Sequence, residues 1–135
     1  MRLVLTMKIH LQLRDGAYLA SCKIVGRRLV DIVGIVDSEA SVTYVTMETL
    51  RLAELEPTGE AKRFLCVHGQ SHAGIETRSY HGTITLGTES GSGKVYAIDA
   101  RLAAGDQSVG AVLGRDILRN FNVSLYWKNG IGFLE

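Results

Sequence analysis

Between Leu5 and Leu13 apolar and polar residues take turns: Leu5, Met7, Ile9, Leu11 and Leu13 alternate with Thr6, Lys8, His10 and Gln12. A period of two puts each set on its own face, so this segment predicts a half-buried β-strand. Arg14-Asp15-Gly16 supplies turn chemistry, and Ala17 to Val25 predicts a second strand. Gly26-Arg27-Arg28 turns the chain again into Leu29 to Val36, which ends as a nearly unbroken apolar run. A strand without a polar face is covered on both sides, so this one belongs in a sheet interior.

The period then changes. Thr46 is a suitable N-cap, Glu48 favours a first turn, and Met47, Leu50 and Ala53 or Glu54 repeat at helical spacing, with Leu55 closing the helix. Glu56-Pro57 stops it. Lys62 to Gly87 predicts two strands around a Gly-containing tip, His68 to Gly74. A loop follows at Glu89 to Gly93, then a strand in Lys94 to Leu102. Gly110 to Leu118 predicts an apolar strand, a glycine turn and a short helix, and Asn122 to Glu135 a hairpin on Asn129-Gly130. Many short strands with about two short helices predict a small barrel or sandwich. No linker or low-complexity tract divides the chain, so residues 1–135 are expected to form a single domain.

Composition narrows the function classes. Of 135 residues, 46% are hydrophobic and 21% charged, enough for a buried core and unlike a disordered chain. A formal net charge of +1 offers no electrostatic grip on nucleic acid or anionic lipid. Cys22 and Cys66 are too few for a disulfide framework and are expected as reduced thiols. No apolar run approaches the ~20 residues of a membrane-spanning helix. The opening Met1 to Gly16 alternates and lacks a small-residue cleavage site, which makes it a strand rather than a signal peptide. A cytoplasmic location is expected.

Four places carry candidate chemistry. Gly87 to Lys94 resembles a phosphate-binding loop, but its first glycine is one place too early, Val95 replaces the needed Ser or Thr, and no helix follows. It is expected to be a solvated hairpin loop. Cys66, His68, His72 and His81 lack a nearby carboxylate, and His72 falls in a turn, so neither metal nor cofactor is expected. Ser38 and Ser41 lack the G-x-S-x-G setting of a nucleophile elbow. The fourth place is a pair of segments. Ile35 to Ser41 (IVDSEAS) ends an apolar strand on Asp37, and Ala111 to Leu118 (AVLGRDIL) comes about eighty residues later. An isolated Asp after a strand is ordinarily a turn residue.

Together the two segments resemble the signature of the retropepsin-like aspartic proteases, the family that includes retroviral proteases. That signature is an apolar strand, Asp-Ser/Thr-Gly-Ala, and later a strand, Gly-Arg-Asp and a short helix. The resemblance spans nearly the whole chain and implies an all-β fold: a small closed barrel of the acid-protease type with one or two short helices and one active-site loop per subunit. It implies a homodimeric aspartic endopeptidase acting on peptide or protein substrates, with Asp37 of each subunit as catalytic residue. Ser38, Glu39 and Ala40 would form the active-site loop, Ser38 hydrogen-bonding across the interface and Ala40 leaving room for substrate. Val67, His68, Gly69, Gln70, Ser71, His72, Ala73, Gly74 and Ile75 would form a flap over the peptide. Gly114, Arg115 and Asp116 would support the loop, and the terminal Ile131 to Glu135 would pair between subunits.

One position departs from the pattern. Glu39 stands where the family has glycine. A Cβ there is inexpensive only if φ is negative. A second reading follows from this residue: a protease-like dimerisation or peptide-binding module without proteolysis.

Overall fold

The computed structural model describes residues 8–64, 75–91 and 93–135. Strands β1 (Ile9–Arg14) and β2 (Ala17–Val25) form a hairpin around Asp15 and Gly16, both in the left-handed region at φ 48° and 78°. Strand β3 (Leu29–Val36) returns antiparallel along β2, from Val25↔Leu29 to Leu19↔Ile35. Next come β4 (Tyr44–Thr46), helix α1 (Met47–Leu52), β5 (Glu56–Phe64), β6 (Ile75–His81), β7 (Thr83–Leu86), β8 (Glu89–Ser90) and β9 (Lys94–Ile98). The chain finishes with β10 (Leu102–Ala104), β11 (Gln107–Val109), β12 (Ala111–Leu113), helix α2 (Arg115–Leu118), β13 (Val123–Tyr126) and β14 (Ile131–Leu134).

The local signals act as their chemistry requires. Thr46 caps α1, its hydroxyl accepting from the Thr49 amide at 3.3 Å. The helix ends at Leu52 rather than Leu55, and Glu54 takes a positive φ of 50° that turns the chain into β5. Gly87 turns β7 into β8 at φ 60°, so the segment resembling a phosphate loop is largely a hairpin, with Lys94 in β9. The last hairpin carries a short 3₁₀ turn (Trp127–Asn129) before Gly130 at φ 66°.

The main sheet runs β13-β14-β1-β2-β3-β12-β4-β9-β6-β5. The expected closed barrel does not form. A barrel gives every strand two neighbours, whereas this sheet is open: among the described residues β13 pairs only with β14, and β5 only with β6. It branches instead. One edge of β2 serves β1 near its start, through Leu19, and β7 near its end, from Lys23 to Val25. That division folds the sheet over its core without joining its ends. The terminal strand β14 is also not free for a second subunit, because β1 and β13 occupy its two edges.

Alternation along β2 decides what is buried. Tyr18, Ala20, Cys22 and Ile24 enter the main core with Val45, Ile84, Leu86, Val95, Leu113, Ile117 and Leu134. Leu19 faces the other way, into a second cluster with Ala104 and Val109, against which Val33, Ile35 and Leu102 pack. The β10–β11 hairpin thus covers the back of β2 and β3, and the Arg14–Asp106 ion pair at 2.6 Å ties it to β1. This explains why β3 is apolar on both faces. Burial pushes the Cys22 thiol up to about 12. A raised folded value favours the neutral thiol, so the associated stability is present below the unfolded thiol's range and is lost as pH rises through it. Urea unfolding between pH 8 and 11 is expected to show a steeper loss of stability in the parent than in Cys22→Ala.

Candidate active site

The site starts from parallel pairing. Gly34, Ile35 and Val36 of β3 lie beside Ala111, Val112 and Leu113 of β12. The Asp37 amide extends this ladder by donating to the Leu113 carbonyl at 3.0 Å. Asp37 therefore emerges, half-buried, from the end of an interior strand. The chain then turns tightly. The Ala40 amide donates to the Asp37 carbonyl at 3.2 Å, and the Glu39 amide donates to Asp37 Oδ1 at 3.0 Å. The second bond orients the carboxylate, as Asx turns do.

The segment after β12 holds this loop from behind. Any Cβ on Gly114 would overlap the Val42 carbonyl, so only glycine admits the close approach. The Arg115 amide donates to the Ala40 carbonyl at 2.8 Å, and its Nη1 donates to the Ser38 and Glu39 carbonyls, each at 3.2 Å. Asp116 accepts from Thr43 twice, from the hydroxyl at 2.6 Å and from the amide at 3.0 Å. The same Thr43 hydroxyl accepts from the Gly114 amide at 3.1 Å. Residues 37–43 and 114–116 form one cross-braced unit.

Ser38 is exposed and contributes its carbonyl to that bracing, while Ala40 is half-buried with both backbone groups engaged. Glu39 is exposed. Among the described residues only Asp15 and Glu54 are non-glycine positions with positive φ, so the Glu39 Cβ brings no left-handed strain. Of the expected flap, Val67, His68, Gly69, Gln70, Ser71, His72, Ala73 and Gly74 lie outside the described residues, and Ile75 opens β6. Cys66 lies outside them too, while His81 is exposed at the end of β6. No group of three or more His, Cys, Asp or Glu that could hold a metal exists among the described residues. No helix there is long and apolar enough to cross a membrane.

Two neighbours of the site were missed in the sequence. Thr43 is buried and links Asp116 to the loop. Tyr44 opens β4, in register with Val112 and with Tyr96, whose ring centroid lies 6.4 Å away. Burial first, then Tyr96, Asp116 and Asp37, hold the Tyr44 phenol above its ordinary range. The signal available in advance was the resumption of strand alternation after the loop. Two open grooves of about 610 and 720 Å³ flank α1 and β10–β11 and do not include Asp37.

With this architecture, the chain has the fold of the retropepsin-like aspartic proteases. It is similar to a retropepsin-like aspartic protease from Rickettsia conorii, with a TM-score of 0.58 and 18% identity over 95% of this chain and 88% of that one. It is also similar to EIAV protease complexed with the inhibitor HBY-793, with a TM-score of 0.51 and 18% identity over 76% of this chain and 85% of that one. No family model matches the sequence, and no curated protein matches it significantly. At this identity the likeness establishes a fold; chemistry must come from the site.

Replacing Thr43 by Val removes a hydroxyl that both donates to Asp116 and accepts from Gly114. Thr43→Val is expected to cost about 1–3 kcal/mol in denaturant unfolding, the penalty for unsatisfied buried polar partners.

Proposed function

We propose that this chain is one half of a homodimeric aspartic endopeptidase, with Asp37 of two copies facing each other at a two-fold axis. The observation carrying this reading is the braced carboxylate. Asp37 leaves an interior strand, is aimed by the Glu39 amide, and sits in a loop held by Gly114, Arg115 and Asp116. The retropepsin-like fold supports it independently.

One chain supplies one such aspartate, and the reaction needs two. Carboxylates about 3 Å apart share a proton because both cannot ionise. The ionised partner takes a proton from water as the oxygen attacks the scissile carbonyl. The protonated partner donates a hydrogen bond to the carbonyl oxygen as it becomes tetrahedral. Ser38 would hydrogen-bond across the interface, Ala40 would leave room for the peptide, and residues 67–75 would close over it. Glycines 69 and 74 would give that segment its backbone freedom.

The outer edge of β13 favours that strand for intersubunit pairing. Asn122 and Glu135 exchange both backbone hydrogen bonds, at 2.7 and 3.1 Å. Antiparallel alternation then turns the Val123 amide away from β14. Exposed Val123, Tyr126, Trp127 and Ile131 surround this edge. A second reading, binding or dimerisation without proteolysis, rests on Glu39 in place of the motif glycine.

Incubation with a peptide library from about pH 3 to 7 is expected to give cleavage that Asp37→Asn abolishes. Cleavage insensitive to that change, or none at any pH, sinks the catalytic reading. If only Glu39→Gly cuts, the binding reading holds for the parent. Val123→Pro removes an outward amide without touching the β14 ladder. Sedimentation is expected to show a dimer for the parent and folded monomer for this variant.

A further inference from the structure

We propose that Glu39 selects the substrate, its carboxylate receiving a lysine or arginine side chain of the bound peptide next to the scissile bond. This rests on the peptide-binding site centred on Asp37 and deepens that reading by naming a substrate class. The Glu39 amide is 3.0 Å from Asp37 Oδ1, so the residue's Cα lies immediately beside the reacting carboxylate. Its side chain is exposed, and the backbone adopts no left-handed conformation that would force it elsewhere.

Among the described residues no cation occupies this carboxylate. Arg115 reaches this loop, but its Nη1 donates to the main-chain carbonyls of Ser38 and Glu39. Three other surface glutamates have partners, Glu54 with Arg28, Glu56 with Arg27 and Glu60 with Lys94. Exposed Glu48 and Glu89 pair with no cation among the described residues; Glu39 differs from these two in its place beside Asp37. Among the described residues no ion pair involves Glu39. Two-fold symmetry would bring two Glu39 residues to a site already holding two Asp37 residues. With the Asp37 pair sharing a proton, the two Glu39 carboxylates and the one ionised Asp37 still outnumber the two Arg115 guanidiniums, which leaves an excess of negative charge. A basic peptide supplies the missing positive charge, and an acidic one adds to the repulsion. One Glu39 on each side of the axis favours basic residues on either side of the scissile bond.

The test uses two uncleavable reduced-amide peptides that differ only beside the reduced bond, one carrying lysine and the other norleucine, of equal chain length and without charge. Fluorescence anisotropy at neutral pH measures both against the parent and Glu39→Gln, with circular dichroism checking each fold. The parent is expected to favour the lysine peptide by about fivefold, the upper range for an exposed ion pair. The preference should shrink in high salt and vanish in Glu39→Gln. Equal affinities in the parent, or a preference retained by the variant, overturn the proposal. Binding of neither peptide overturns it together with the peptide-site reading. A Glu39-dependent preference, where the peptide-library incubation gives no cleavage, supports the selectivity while removing the catalytic reading.

Discussion

The carboxylate of Asp116, holding both the amide and the hydroxyl of Thr43, is the contact on which the candidate site depends. Thr43 is buried, so its polar groups need partners within the protein. Asp116 provides an acceptor for each donor, and the Gly114 amide donates to the remaining hydroxyl lone pair. Gly114 makes this possible by bringing its backbone against Val42, where no side chain fits. With the rear of the loop fixed, the Glu39 amide can aim the Asp37 carboxylate without help from distant side chains.

The sheet places that brace. Parallel pairing of β3 with β12 lays Asp37 and Gly114 at corresponding strand ends, although they are far apart in sequence. Such a parallel ladder must be covered on both faces. The main core covers one face, and the β10–β11 hairpin covers the other through Val109 and Ala104. An apolar strand carrying a carboxylate at its tip is therefore a consequence of position: Gly34 is buried and Ile35 and Val36 are half-buried, whereas Ser38 and Glu39 after Asp37 are exposed.

The open sheet changes the assembly expected of the fold. A carboxylate dyad across a two-fold axis needs contact between two chains, and unpaired backbone edges are the natural means. Strand β14 has none to offer, since both its edges pair within the chain. The edge of β13 is the one exposed beside Tyr126 and Trp127. Locating the proposed interface there moves it from the final strand to the penultimate one.

Alternation in β1 and β2, the Thr46 cap, the β7–β8 hairpin and the pairing of Asp37 with a Gly-Arg-Asp segment were all legible in the sequence. Each depends on local periodicity, turn chemistry or a short motif, which chain order alone carries. Sheet closure was not legible, because it depends on whether the first and last strands of the path meet, and β2 divides its edge between two partners instead. Nor were the roles of Thr43 and Tyr44, whose partners Asp116 and Tyr96 arrive from distant parts of the chain. The sequence by itself determined where a carboxylate would end an apolar strand and which residues could brace it. Only the tertiary structure decided that the Glu39 backbone is unstrained, that its side chain faces solvent, and which strand edges stay unpaired among the described residues. Those outcomes follow from long-range pairing and packing, which no local pattern specifies.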